Sequence, residues 1–465
     1  MQYVRLRGTV RVTDTGDFIK ADFPQPLARE EETALYNALS CDYYVQSKVL
    51  EYVKKKLKFI KQVGSSSYYI PFFALPVLER VCAGLGFRVA GTIKVGFSRI
   101  SPSRANYRLY AFQKDAVDKW CANRYRGTVV IPTGGGKTFV ALEAIRRLSV
   151  STLICVTTKE LAEQWRERLK EALGIDAGML GDAKKEIKPV TVAIYNSATK
   201  YIDLIKNRFG LLVCDECHHV PAQTFKTVAI AMKSPYRLAL SATPKRYDMN
   251  EALVFFTCGK VVYTANYQEL VKLKLACPLK FYRIYVDLTN DEVMQYSSID
   301  STNIFSFTKL AKIAYRAERK YAVLRKLLEK LKDRKIIVFT QYVDQAEKAH
   351  KVAREVMKSA ILTGSTKDRE RVFDRFRNGK VNCIVSTTVL DEGIDVPDAD
   401  VAIILSGSGS ERQLMQRIGR VLRHRDGKTA LVVEIVTRNT VEEKIAEKRC
   451  RALSFYRVRP QVVKI

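Results

Sequence analysis

From about residue 105 to the C-terminus, short runs of β-branched and other apolar residues alternate with stretches whose apolar positions recur every three or four residues. That alternation predicts parallel strands flanked by helices. Thr128–Ile131, Thr152–Val156, Val190–Tyr195, Leu211–Cys214 and Arg237–Leu240 are the candidate strands of a first sheet, within residues 105–265. Lys335–Phe339, Ala360–Leu362, Asn382–Ser386, Val401–Leu405 and Ala430–Ile435 are those of a second, within residues 270–465. The expected fold class is α/β, with two parallel-sheet lobes in tandem.

Residues 1–100 follow a different pattern. Short apolar runs (Tyr68–Phe73, Val89–Val95) mix with helical periodicity, which predicts a small α+β N-terminal domain. Ser47–Val63 reads as an amphipathic helix, with Val49, Leu50, Val53, Leu57 and Ile60 on one face. Its lysines, Lys54, Lys55, Lys58 and Lys61, fall largely opposite, either as DNA-backbone contacts or as a solvated face. The polar, turn-rich stretch 97–108 reads as the linker into the first lobe. Asp291–Arg319 reads as a short helical insert in the second lobe, basic through Lys309, Lys312, Arg316 and Arg319.

At 465 residues the chain exceeds the roughly 250 that one core sustains, in keeping with several domains. No apolar stretch approaches the roughly 20 residues that span a bilayer, and the N-terminus has no signal-peptide pattern, so a cytoplasmic protein with no membrane partner is expected. Net charge changes the picture most. A surplus of +30 calls for a polyanionic partner, and nucleic acid is favoured because no amphipathic membrane anchor stands out. Ten scattered cysteines suit a reducing compartment. Cys214-Asp-Glu-Cys217-His218 matches the haem-attachment spacing, with His219 as a further ligand candidate. Haem attachment needs an exported chain, and no second Cys/His pair with zinc spacing lies near.

The candidate chemistry begins at Val129–Val140, VVIPTGGGKTFV. Gly134, Gly135 and Gly136 let the backbone curl into an anion cradle between strand and helix. Lys137 is placed for the β- and γ-phosphates and the Thr138 hydroxyl for Mg²⁺, at a helix N-terminus that favours negative charge. Ile131 stands where the general phosphate-loop pattern has glycine. A strand then ends in two carboxylates: Asp215 to hold Mg²⁺, and Glu216 to orient and deprotonate the attacking water. Phosphoryl transfer also needs cations for the charge spreading over the γ-phosphate. Gln416-Arg417-Ile-Gly-Arg420-Val-Leu-Arg423 supplies three arginines, and a helix would put positions 416, 420 and 423 on one face. Arg420 and Arg423 would then reach across a cleft between the lobes as finger residues, an effect of roughly 10³–10⁵ in rate.

Taken together, these motifs resemble superfamily 2 helicases from about residue 105 to the end, and imply two RecA-like lobes. Gln113 resembles the adenine-recognising Q motif, and the resemblance implies nucleotide contacts from Thr133, Gly393, Asp395 and Gln416 as well. Val156–Trp165 is similar to motif Ia and Val192–Ser197 to motif Ic, which implies strand contacts from Thr157, Thr158 and Ser197. DECHH at 215–219 resembles the D-E-x-H box, and Ser241-Ala-Thr243 the motif that couples ATP to DNA. In the second lobe Phe339-Thr340-Gln341 resembles motif IV and Gly393-Ile-Asp395 motif V. Gln341, Gly364 and Thr387 are implied nucleic-acid contacts.

Within the superfamily the chain looks most like the XPB family in its compact archaeal form. The double histidine of DECHH, the Arg246-Tyr247-Asp248 stretch, the insert in a thumb position and the N-terminal domain carry that resemblance. Tyr247 stands where the family has glutamate. Arg246, Asp248, Lys309, Lys312 and Arg316 are then implied DNA contacts. The resemblance implies ATP and Mg²⁺ as cofactors, 3′→5′ opening of duplex or forked DNA in repair or transcription, and a partner nuclease of the archaeal Bax family. A duplex clamp without processive unwinding, and an RNA helicase, are the competing functions.

Overall fold

The computed structural model describes residues 7–46, 52–132, 134–181, 184–217, 222–242, 251–300, 306–390 and 399–464. The chain divides into two compact units: residues 1–131 with 136–265, and residues 132–135 with 266–465.

The first unit contains an eight-stranded sheet in the order Lys184–Glu186, Gly178–Gly181, Val190–Ile194, Thr152–Val156, Leu211–Cys214, Tyr236–Ser241, Arg126–Val130, Val261–Thr264. All neighbours are parallel except the first pair. Its central strands are buried along their whole length, as a sheet covered on both faces requires. The helix Lys159–Leu173 shows how local sequence sets the ends of these elements. The Thr158 hydroxyl accepts from Leu161 N at the start, and Gly174 in the left-handed region (φ 68°) closes the other end.

A five-stranded sheet of the same unit runs Lys61–Gln62, Ser67–Ile70, Ile19–Asp22, Gly8–Asp14, Phe87–Ala90. It shares one hydrophobic core with the large sheet: Val10, Tyr68, Phe73 and Phe87 belong to the same buried cluster as Leu153, Leu212 and Val254. Phe59 stacks on Phe256 at 4.8 Å, and buried Lys233 pairs with Asp14 at 3.1 Å.

The expected helix at Ser47–Val63 is not formed. Ser40–Gln46 and Tyr52–Lys58 are the strands of an antiparallel hairpin, with residues 47–51 outside the described set. Cross-strand pairing overrides the helical spacing of the apolar residues: Asp42 faces Lys56, Tyr44 faces Lys54, and Lys54 pairs with Asp42 at 2.9 Å. The stretch 97–108 is sewn along the first lobe. Arg99 bridges Val150, and the Ser103 and Asn106 amides donate to Leu173 and Ala172.

The second unit holds a seven-stranded, all-parallel sheet in the order Ser359–Leu362, Cys383–Ser386, Ile336–Phe339, Val401–Ile404, Ala430–Thr437, Leu279–Val286, Gln461–Val462. The expected insert forms two helices, Asn290–Ser297 and Ser306–Arg316, and the second packs Ala311 and Tyr315 against Ile445. No helix among the described residues is long and apolar enough to cross a membrane.

Candidate active site

The β-branched strand Arg126–Val130 feeds the glycine turn, and Gly136 caps the helix Lys137–Leu148 from the left-handed region, at φ 77°. A Cβ on Gly136 would lie 2.4 Å from Gln113 Nε2, so only glycine admits this close approach. Gln113 itself is buried at the start of its helix, where its Oε1 accepts from Tyr110 N at 3.0 Å. Gly134 is also left-handed, and the Gly135 amide donates to Pro132 O at 3.0 Å. Thr133 lies outside the described residues.

Lys137 and Glu216 meet: Nζ to Oε1 is 3.0 Å, and both side chains are largely buried. Glu216, the second residue past the strand Leu211–Cys214, sits at φ 46°, an uncommon conformation for a non-glycine residue. Asp215 is 7% exposed. Burial and the neighbouring Glu216 push its carboxyl up to about 6, against the opposing pull of Lys137 and a hydrogen bond from Trp165. Thr138 stands in the first turn of the Lys137–Leu148 helix. Lys137, Asp215, Glu216, Gln113 and Gly136 are thus gathered at the C-terminal edge of one parallel sheet, where such folds place ligands.

Thr157 and Thr158 follow the adjacent strand Thr152–Val156, and Ser197 lies in the helix Tyr195–Lys200 that follows Val190–Ile194. The elements that begin at these two strand ends both reach Asp215. Arg246, Asp248, His218 and His219 fall outside the described residues. Of the haem-like spacing, Cys214 lies in the core with its Sγ 4.0 Å from Cys258, and Cys217 is turned to Leu240 O.

Within the second unit the arginine segment departs from expectation. The helix is Glu411–Gly419; Gly419 and the buried pair Val421-Leu422 end it, and Arg420 is its cap. Arg423 lies beyond the helix in an antiparallel bridge to Ala276, so 416, 420 and 423 do not share a helical face. Arg420 Nε donates to Leu390 O at 3.2 Å. Arg417 is buried, donating to Ser406 O at 2.8 Å with its guanidinium over Phe339. Gln416 is partly buried in the helix's last turn.

Gln341 N donates to Ser406 Oγ at 2.8 Å, Thr387 is buried, and Gly364 is exposed. Lys309 and Lys312 are exposed on the insert helix, while Arg316 makes a two-pronged ion pair with Asp344 at 2.6 and 2.9 Å. Gly393 and Asp395 lie outside the described residues.

Some neighbours of the site were not visible in the sequence. Trp165 Nε1 donates to Asp215 Oδ2 at 2.8 Å, and the Tyr195 hydroxyl to Asp215 O at 3.4 Å. A cavity of about 360 Å³ is lined by Tyr107, Arg108, Phe139, Arg168 and Glu171. Phe139 follows Lys137 by two residues, so the cavity opens beside the phosphate-loop helix; an aromatic directly after Lys-Thr was the only available signal.

Two tandem parallel-sheet lobes, a glycine-rich phosphate loop before a Lys-Thr helix and a strand ending in Asp-Glu define a two-lobed helicase of superfamily 2. Family models agree: "Type III restriction enzyme, res subunit" matches residues 106–246 and "Helicase conserved C-terminal domain" residues 319–425. The DNA 3′-5′ translocase XPB2 of Sulfurisphaera tokodaii is 36% identical over 372 residues, covering 73% of this chain and 83% of that protein. The DNA 3′-5′ helicase XPB of Mycobacterium tuberculosis is 31% identical over 381 residues, covering 79% and 67%. The solved structure of Saccharomyces cerevisiae Dbp5 bound to RNA and ADP BeF3 matches at TM-score 0.53 with 18% identity, covering 76% of this chain and 89% of that one, a likeness of fold alone. The chain belongs to the XPB family of DNA helicases.

Proposed function

We propose that this chain is an ATP-dependent DNA helicase or translocase of the XPB type, moving 3′→5′. The observation that carries the reading is the Lys137–Glu216 contact at 3.0 Å beside Asp215, at the mouth of a turn only glycine can make. A turn of left-handed glycines, a lysine and a threonine at a helix N-terminus, and a buried carboxylate at another strand end of the same sheet suit a magnesium–nucleotide phosphate tail. Lys137 would grip the phosphates, with Thr138 and Asp215 holding Mg²⁺. When bound, the metal supplies positive charge against the phosphate oxygens. Glu216, whose strained backbone fixes its direction, would orient and deprotonate water. Gln113 would read the adenine edge, and the cavity at Tyr107 and Phe139 offers aromatic surface for the base. Arg420 and Arg423 would supply positive charge to the transferred phosphoryl group.

The net charge of +30 supports a nucleic-acid track, and the family supports DNA. Thr157, Thr158, Ser197, Gln341, Gly364 and Thr387 are the proposed backbone contacts, with Arg246, Asp248, Lys309 and Lys312 as further ones. Arg316 is the weakest member of that set, because Asp344 already engages its guanidinium. The compact archaeal form of the family supports a Bax-type nuclease as partner, which a pull-down from purified components would test.

ATPase activity with and without duplex DNA tests the central reading. Lys137→Ala and Glu216→Gln should both abolish hydrolysis, and Glu216→Gln should keep nucleotide binding. Wild-type hydrolysis indifferent to every nucleic acid would sink it.

A further inference from the structure

The buried donors on Asp215 come from the segments assigned to gripping the DNA strand. Trp165, 3% exposed, sits in the helix Lys159–Leu173, which begins directly at Thr158. Its indole is aimed at one carboxylate oxygen of Asp215, Oδ2 at 2.8 Å, while the other accepts from Glu216 N at 3.0 Å. Tyr195, 2% exposed, opens the short helix containing Ser197 and places its hydroxyl 3.4 Å from the Asp215 carbonyl oxygen. The strand before Asp215 is itself bonded to the strand leading into Thr157, with Asp215 N donating to Cys155 O at 2.9 Å. A rigid helix whose N-cap is a proposed DNA contact thus ends its second turn on the proposed magnesium carboxylate.

We infer that Trp165 is a positioning residue: it fixes the Asp215 carboxylate for the metal and transmits DNA engagement at Thr157–Thr158 to the nucleotide site, with Tyr195 as a second link from Ser197. A displacement of the helix start moves the indole with it, because fifteen helical residues form one body. The carboxylate must follow, since it is buried and exchanging this donor for water is unfavourable. This inference rests on the reading of Asp215 as a magnesium ligand.

The test uses the full chain, which has two tryptophans, so the spectrum of wild type minus Trp165→Phe isolates Trp165 emission. Magnesium with a non-hydrolysable ATP analogue should change that emission, and duplex DNA should change it again. Trp165→Phe should raise the Mg²⁺ midpoint for hydrolysis about tenfold, the size expected for losing a partner that orients a metal ligand. It should also shrink the DNA stimulation of kcat several-fold while leaving DNA affinity within about twofold. Tyr195→Phe should act on DNA stimulation in the same direction. An unchanged Mg²⁺ midpoint and stimulation in Trp165→Phe, or a silent Trp165, overturns the inference. If Trp165→Phe does not fold, Trp120→Phe leaves Trp165 as the sole indole and the emission changes decide. Asp215→Asn separates the two layers: a wild-type Mg²⁺ midpoint there defeats the magnesium reading itself, whereas an impaired Asp215→Asn beside a normal Trp165→Phe defeats only the positioning role.

Discussion

Lys320 offers the sharpest test of what holds the arginine segment in place. Its ammonium and the Glu442 carboxylate are both 0% exposed, and Nζ lies 2.7 and 2.8 Å from the two carboxylate oxygens. The same Nζ donates to Leu405 O at 2.7 Å and Ile435 O at 3.0 Å. Arg417 donates to Ser406 O, and Arg449 and Tyr315 to Gly407 O. Four buried donors are therefore fixed on three consecutive carbonyls, just before the helix Glu411–Gly419. Lys320→Met fills the volume but leaves the buried Glu442 carboxylate without its cation, with Thr437 N still donating to it at 2.9 Å.

Breaking one side of a buried pair costs about 3–5 kcal/mol. Two carbonyls that lose a donor add on the order of 1 kcal/mol each. The total of about 5–7 kcal/mol rivals the lower end of a whole domain's stability. For a unit of some 200 residues it corresponds to a fall in Tm of about 10–30 °C. Calorimetry and far-UV circular dichroism should show it, whereas tryptophan fluorescence reads only the first unit, where Trp120 and Trp165 both lie. Lys320→Met/Glu442→Gln should recover at least half the loss, because glutamine still accepts from Thr437 N without carrying a charge. A single variant that loses less than about 1 kcal/mol, or a double variant no more stable than the single, would refute the reasoning.

Glu143, buried in the phosphate-loop helix, is pushed up by burial but pulled further down, to about 2, by hydrogen bonds from Arg146, Arg147 and Tyr107. Its folded pKa is below the unfolded value of 4.5, so its contribution is present above 4.5 and lost as pH falls toward 2. The stability gap between wild type and Glu143→Gln in urea should narrow by about 3 kcal/mol across that window, and a constant gap would contradict the assignment. Gly136→Ala puts a Cβ 2.4 Å from Gln113 Nε2 at a left-handed φ, and should weaken ATP binding about tenfold or more in a nucleotide titration. Gly407→Ala puts one 2.7 Å from Arg417 Nη1 and 3.0 Å from Gln413 Oε1. It should lower kcat with little change in the KM for ATP, and an unaltered kcat would show that the loop does not set the arginine segment.

The parts of the fold that read directly from sequence are those where one short stretch contains its own cause. Thr152–Val156 and Leu211–Cys214 are continuous apolar runs because both sheet faces are covered, and their bounds match the structure residue for residue. Leu279–Val286 was missed because Lys280 and Arg283 interrupt the run. Arg283 is tolerated because Glu434, on the adjacent strand, meets it at 2.7 Å and Ala446 O accepts from it at 3.3 Å. The lysines near residue 55 satisfied a helical period, while the decisive partners, Asp42 and Tyr44, lay on another strand. At the site, Lys137, Asp215 and Glu216 were legible from motif chemistry. Trp165 was not, since an indole fifty residues before a carboxylate becomes its partner only once the strands are ordered.

The same distinction bears on what the N-terminal residues are. By sequence they end at a polar stretch and carry no catalytic signature, which suggests an appendage. In the structure Phe59 and Phe73 close on Phe256, and the Arg237 guanidinium lies 5.4 Å from the Phe73 ring. Buried Arg237 in turn donates to the carbonyls of Ala229, Met232 and Ser234, while Trp120 donates to Arg237 O. Arg237 belongs to the strand Tyr236–Ser241, whose last residue begins the Ser241-Ala-Thr243 motif. Cutting the chain near residue 100 would uncover Phe256 and remove the aromatic cover of a buried guanidinium in that strand. The five-stranded sheet is therefore part of the support for the ATP-side strand, and a force applied to it acts on the first lobe's core rather than on a tether.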